Sequence, residues 1–461
     1  MQARKRMFRK IELWVLLLVL LLGLLATLVF GMLVHRIDRG SRIAGPLTPA
    51  IQTMVSAPDL LRKAWRDAID PGRDFRAREN RFGDESGFHF GYAPGTRPDS
   101  PFLLLNRFDA ARVRSVSELV DLNRQETVAR WVYDVDPIWE KSRFDRSVFD
   151  LSRDFNSTRF AGIHAFLTEE GDIIVNGMST PLLRFGPCGD LLWEQPEVAF
   201  HHAIERDEEG TFWVPGHDSA DNGKIGSEPV MRDLVMRVAG DGTILYRKAV
   251  ADILLENGLG HLIWGNGPLQ PDPLHLNDIE PVRSDGPHWR KGDVFLSLRN
   301  RSLVLLYRPQ TGKILWQRSG DDAWWHQHDV SIIDDHRIAV FDNRSRAIMS
   351  GLLASERSRL VIVDLDDDSA RPLYPEAFES LDLHTHQQGR GLVLPDGRAM
   401  VEETESGRLV VFDAAGKVDW SYINRGPDGT LYLLNWSRLV PRDIAEKALA
   451  ARAARCPGAT P

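Results

Sequence analysis

The sequence predicts an all-β fold, a six-bladed β-propeller held behind one N-terminal transmembrane helix and a short helical linker. Three observations predict it. An apolar strand, a short turn rich in Gly, Asp, Asn or Pro, and a second apolar strand closed by an aromatic recur six times between Phe88 and Trp436. An uncharged run, LWVLLLVLLLGLLATLVFGMLV, occupies Leu13 to Val34. Histidines stand at the beginnings of strand patterns, where a β-scaffold presents side chains to a pocket rather than to its core.

In chain order, the organisation reads as a basic N-terminus (1–12), a membrane anchor (13–34), a linker with one amphipathic helix (35–87), the propeller (88–440) and a C-terminal helix or tail (441–461). At about 1.5 Å per residue the apolar run matches a hydrocarbon core of roughly 30 Å. Arg4, Lys5, Arg6, Arg9 and Lys10 outweigh His35, Arg36 and Arg39, so the remainder of the chain is expected outside the cytoplasm. A cleaved signal sequence is the competing reading. The run is longer than the roughly 7–15 residues of a typical signal core, and no small-x-small site follows it closely. In PDLLRKAWRDAID, Leu60, Leu61, Ala64 and Ala68 recur at helical spacing, with Pro58 expected in the first turn and Pro71 just past the end.

The six repeats close at Trp131, Trp193, Tyr246, Trp316, Tyr374 and Trp420, and this spacing suits four short strands per unit. Units too small to bury both faces alone favour radial stacking over two packed sandwiches. Leu431 to Leu434 is the stretch expected to close the ring on the N-terminal unit. Of 461 residues 43% are hydrophobic and 26% charged, with a formal charge of −8, which argues against a nucleic-acid partner. Cys188 and Cys456 are the only cysteines, and the second lies in a tail expected to be poorly ordered. A disulfide framework or cysteine metal site is therefore not expected, and a single bridge stays open.

The candidate site lies in Pro273 to Asn343, where His275, Asn277, Arg299, His326 and His328 fall at or near the ends of apolar alternation. His201 and His202, and His384 and His386, precede other hairpins in the same phase, so several blades are expected to bring histidines to one mouth of the channel. PLHLNDIEPV, VFLSLRNRSLV, the TGKILW turn and WWHQHDVSIIDDHRIAVFDN together resemble the bacterial arylsulfate sulfotransferases. That resemblance implies a six-bladed extracytoplasmic propeller that moves a sulfuryl group from a phenolic sulfate ester to a phenol through a sulfated histidine. It implies no nucleotide sulfate donor and no cofactor. By motif it makes His328 the nucleophile, with His275, Asn277, Arg299 and one of the His201–His202 pair, taken as His202, around it; His326, two residues away, is the competitor for the nucleophile's role, and the sequence leaves an exchange of roles between the two open. His326 and the HTH at His384 to His386 are not part of the family pattern; His326, Trp325, His386 and Asn277 are assigned to substrate contact.

These residue types suit the reaction on their own chemistry. Arg299 and protonated imidazoles can hold the charged sulfuryl oxygens where water is excluded. A neutral imidazole can attack sulfur and leave again, and another can protonate the departing phenolate. Two other functions fit parts of the sequence. HQH and HTH would place two imidazoles on one face of an extended strand, which suits a metal enzyme, although Arg299 repels a cation. A non-catalytic membrane-tethered propeller is the third reading.

Overall fold

The computed structural model describes residues 12–38, 45, 48–145, 154–218, 224–225, 228–265, 269–320, 323–348, 351–354 and 356–457. They fall into two compact units, Met1–Pro71 and Gly72–Pro461. The first holds two helices, Leu13–Asp38 and Thr48–Ile69. Leu13–Ile37 is long and apolar enough to cross a membrane. The second helix begins ten residues before the expected start, so Pro58 lies inside it rather than in its first turn. TPAIQTMVSA contains no glycine and extends the amphipathic pattern backwards, and that outweighs the single hydrogen bond Pro58 removes.

The second unit is all-β and propeller-like, built from antiparallel four-stranded meanders. In chain order the first comprises Phe102–Asp109, Arg114–Asp121 and Glu126–Val132, completed by Arg438–Val440 from the far end of the chain. The second runs Ile163–Leu167, Ile173–Asn176, Thr180–Phe185 and Leu191–Phe200. The third is Glu205–Arg206, Phe212–His217, Asp233–Val238 and Ile244–Ala249, joined to the second where Gly216 pairs with Phe200. The fourth is Leu276–Pro281, Val294–Leu298, Leu303–Arg308 and Lys313–Ser319. The fifth is Val330–Ile332, Arg337–Asp342, Arg359–Asp364 and Ser369–Pro372. The sixth is Arg390–Val393, Ala399–Glu403, Arg408–Phe412 and Val418–Ile423, with Gly87–Phe90 added outside.

The apolar cores lie between successive meanders. Leu119 meets Val175, Ile174 meets Val214, Val235 meets Leu296, Val304 meets Val340, Phe341 meets Val401, and Met400 meets Leu103, each pair within one cluster of buried residues. Each meander is thus buried on both faces only by its two neighbours, and the sixth returns to the first.

Two expectations are corrected here. Ring closure is made by Arg438–Val440, which pairs with Phe102–Leu104, because Leu431 to Leu434 is drawn off into single bridges with Arg425, Arg76 and Arg107. As far as residue 457 the C-terminal segment is ordered rather than loose, and residues 458–461 of the expected tail lie outside the described residues: helix Arg442–Arg455 buries Ala445 and Ala448 in the core between the first two meanders. It delivers Cys456 to a disulfide with Cys188, in the turn between Thr180–Phe185 and Leu191–Phe200.

Candidate functional site

Each meander is entered through a non-glycine residue in the left-handed region: His164 (φ 46°), His202 (57°), His275 (58°), His326 (53°), Gln388 (57°) and Trp436 (61°). Such conformations are uncommon and cost on the order of 1 kcal/mol, so six in one phase are held by the surrounding fold. Aligning the chain on them places Asn277, His328, Arg390 and Arg438 at one register, two residues further on. His326 and His328 therefore do not share a register. The left-handed turn at His326 breaks the extended geometry that would put both rings on one face, which corrects the sequence expectation.

His202 sits at the middle of the cluster. Its ring lies 5.3 Å from that of His275, 6.3 Å from His328 and 6.1 Å from Trp436, and its Nδ1 shares a 2.7 Å hydrogen bond with Nδ1 of His201. His275 is held by two carboxylates: its backbone N–H donates to Asp233 at 2.9 Å, and its Nδ1 pairs with Asp272. Burial pushes the Asp272 carboxyl up, but His275 and Arg299 outweigh it and hold the group below the usual carboxylate range.

His328 is 2% exposed, and its tautomer follows from its neighbours. The side-chain amide of Asn343 donates to the carbonyls of Gln388 at 2.6 Å and Thr385 at 3.1 Å, so its Oδ1 faces Nδ1 of His328 at 2.7 Å as an acceptor. Nδ1 then carries the proton and Nε2 keeps the lone pair, which receives the backbone N–H of Gln388 at 2.9 Å. Burial first, then Arg299, keep His328 neutral far below its ordinary titration. His326, lowered to about 4 by burial and Arg299, is also neutral near pH 7, and its buried Nδ1 has no partner.

Arg299 lies just past Val294–Leu298, in a short 3-10 turn. Its Nη1 donates to Asn300 at 2.9 Å, while Nε and Nη2 are buried without a partner. A guanidinium with two unspent donors beside neutral imidazoles is a site for an oxyanion. Asn277 is fully buried and donates to the Gln327 carbonyl at 3.3 Å, leaving its own Oδ1 unpaired.

Two sequence-assigned residues are placed differently. Trp325 has a ring covered by the Arg346 guanidinium at 3.7 Å, with Arg344 at 5.1 Å. His386 stands beside His384 at 6.1 Å and donates its backbone N–H to Glu405 at 2.9 Å. Among the described residues no ring contact or hydrogen bond ties it to His202, His275 or His328. Among the described residues, groups of three or more ligand-capable atoms within 4.8 Å are Asp334, Asp335 and His336, and His336, Asp364 and Asp366, neither of which includes HQH or HTH.

Sequence reasoning passed over Asn343, Asp272, Gln388, Trp436 and His164. Asn343 was visible as the end of FDN but carried no titratable group. His164 could have been found by aligning GIHAFL with PLHLND.

Fold and site together define a propeller-like all-β protein with a buried histidine–arginine centre suited to a small anionic group. The family model for arylsulfotransferase (ASST) matches residues 167–425, more than half of the chain, and the chain belongs to that family. Membership supports aryl sulfotransfer, with aryl substrates, as the general activity. No curated protein sequence matches the chain significantly. Among solved structures, a protein of unknown function from Bacteroides caccae is 12% identical, with a TM-score of 0.45 over 73% of this chain and 98% of that one. A nidogen/laminin complex gives 10%, 0.39, 73% and 97% for the same quantities. A catalytically inactive virginiamycin B lyase from Staphylococcus aureus with quinupristin gives 8%, 0.37, 72% and 88%. At these scores the likenesses carry no argument about function.

Proposed function

We propose that the chain is a membrane-anchored, six-bladed propeller that moves a sulfuryl group from a phenolic sulfate ester to a phenol-type acceptor through a sulfohistidine at His328, on the extracytoplasmic side. The blade count is supported by six meanders with cores in a closed cyclic order, each entered through one left-handed residue. Anchoring is supported by the apolar helix. The heavier basic flank before that helix and the Cys188–Cys456 bridge, a bond that persists in oxidising compartments, support the orientation.

The observation that carries the chemistry is the Asn343–His328 pair, which fixes a neutral imidazole with its lone pair on Nε2 beside the two unspent donors of Arg299. Nε2 attacks sulfur, an N–S bond forms, and the S–O bond to the donor breaks. The departing phenolate takes a proton from His275, whose Nδ1 is held by Asp272. In the second half the acceptor phenol returns its proton to His275 and attacks sulfur, and the N–S bond breaks. Arg299, with His202 and Asn277, holds the sulfuryl oxygens throughout. For attack, the Gln388 N–H turns from Nε2 to a sulfuryl oxygen, a change confined to a turn where Gln388 (φ 57°) and Gly389 (φ 95°) are left-handed. His326 and, where its ring is reached past Arg346, Trp325 contact the aryl body, and His386 stands further out on the acceptor path.

The test is mass spectrometry of the intact protein after brief exposure to an aryl sulfate without acceptor. A sulfuryl adduct on His328 is expected. An adduct on another residue, or full turnover by His328→Ala, overturns the assignment.

A further inference from the structure

The second helix, Thr48–Ile69, presents an apolar face to its surroundings. At 3.6 residues per turn, Met54, Val55, Pro58, Leu61, Trp65 and Ile69 fall within about 120° of one another, opposite Thr53 and Ser56. Met54, Leu61, Trp65 and Ile69 are each at least 65% exposed. Among the described residues, none of the six joins a cluster of buried apolar side chains. A contiguous apolar face left open in this way marks a contact surface.

The first helix indicates what covers it. Leu13–Ile37 is long and apolar enough to cross a membrane, and its leucines are exposed along its length. The two helices touch within one compact unit, so one apolar surrounding serves both open surfaces. The second helix is too polar to cross a bilayer itself, because Asp59, Arg62, Lys63, Arg66 and Asp67 lie in its second half. A helix with one apolar face and one charged face settles along the interface, its apolar side sunk roughly 5–10 Å to the boundary of headgroups and acyl chains. Arg62 is the charged residue that falls within the apolar arc, and its long stem carries the guanidinium to Asp59 on the polar side, 3.2 Å away. Lys and Arg barely outnumber Asp in the helix, so apolar contact rather than attraction to anionic lipid holds it.

We propose that Thr48–Ile69 is a membrane-interface helix: it lies in the plane of the bilayer that Leu13–Ile37 crosses, and its partner is the lipid surface, zwitterionic or anionic alike. This rests on the anchored reading of the first helix given above. Anchoring makes the contact intramolecular, so a single apolar face is enough to hold the helix down. Only Asp70 and Pro71 separate it from the second unit, and the chain therefore leaves the bilayer as a bound helix rather than as a free stalk.

The experiment uses the full chain reconstituted in phosphatidylcholine vesicles. Its two cysteines are bridged to each other, so a single introduced cysteine takes a fluorescent label uniquely. Labels are placed at Met54→Cys and Leu61→Cys on the apolar face, at Thr53→Cys and Ser56→Cys on the polar face, and at Leu24→Cys in the first helix. All five positions are exposed, so the labelled proteins keep their fold. Quenching is measured with lipid carrying a nitroxide either near the headgroup or near the end of the acyl chain. The labels at 54 and 61 should be quenched about threefold more than those at 53 and 56, and more by the shallow nitroxide than by the deep one. Replacing Trp65 and Ile69 together by Asp should bring the label at 61 down to the level of that at 56, and added salt should leave the pattern unchanged. Equal quenching on the two faces overturns the proposal. So does a label at 61 that is shielded from aqueous iodide yet untouched by either nitroxide, since protein then covers the face. The label at 24 tests the anchor separately. If the deep nitroxide quenches it while 54 and 61 stay unquenched, the anchor stands and the interface helix falls; quenching at 54 and 61 without quenching at 24 does the reverse.

Discussion

Replacing Asn343 by Leu isolates the hydrogen bonds that set the state of His328. Asn343 is fully buried, and its amide makes three of them: it accepts from Nδ1 of His328 at 2.7 Å and donates to the carbonyls of Gln388 and Thr385 at 2.6 and 3.1 Å. Leucine has a similar volume and makes none, leaving one buried donor and two buried acceptors unpaired. At about 1 kcal/mol or more for each orphaned group, the loss is about 3 kcal/mol of folding stability. Urea unfolding of the full chain in detergent reads that directly. The catalytic consequence is separate: without the Oδ1 acceptor His328 is free to turn and to carry its proton on Nε2, where it cannot attack, and kcat with phenyl sulfate should fall about 100-fold. Asn343→Asp separates the two effects. Its carboxylate still accepts from Nδ1 but offers no donor to either carbonyl, so stability should fall nearly as far while part of kcat returns. Turnover by Asn343→Leu within threefold of the unaltered protein, or an Asp variant no more active than the Leu variant, would refute the reasoning.

Arg299→Lys keeps the charge and removes the fork, so kcat should fall about 100-fold with little change in thermal unfolding; an activity within threefold speaks against an oxyanion at the two unspent guanidinium nitrogens. His326 titrates near 4 in the fold, below its ordinary 6.5, so the unfolded chain binds the extra proton first. Its stabilising contribution is complete above pH 6.5 and is lost as pH falls towards 4. His326→Gln should therefore gain about 3 kcal/mol on the unaltered protein between pH 6.5 and 4, read by urea unfolding at each pH, and parallel curves would contradict it. Cleaving Cys188–Cys456 opens a loop of 268 residues. By loop-closure entropy this costs up to about 5 kcal/mol, so Cys456→Ser should unfold several degrees lower, and a reductant should lower the melting temperature of the unaltered protein but not of the variant.

Local pattern determined much of this protein. The membrane-competent helix is a matter of composition and length, and Leu13 to Val34 could be read directly. The repeats were legible because each blade-sized unit must alternate apolar and polar residues, turn on glycine or aspartate and close on an aromatic, all within a short stretch. His275, His328, Arg299 and His202 were legible because polar groups interrupt alternation at strand ends. What the sequence left undecided depended on partners far along the chain. Closure by Arg438–Val440 rather than Leu431 to Leu434 is a competition between pairing with Phe102–Leu104 and single bridges to Arg76, Arg107 and Arg425. The Cys188–Cys456 bridge required a terminal helix to dock Ala445 and Ala448 between two meanders. The separate placement of His326 and His328 turned on one backbone angle, since alternation in a sequence assumes an extended chain and His326 is left-handed. Asn343 and Gln388, which fix the proton and the lone pair of His328, carry ordinary amides and approach it from 15 and 60 residues away. Only the packing of neighbouring sheets brings such groups within hydrogen-bonding distance, because a hydrogen bond depends on position and direction and a linear pattern encodes neither.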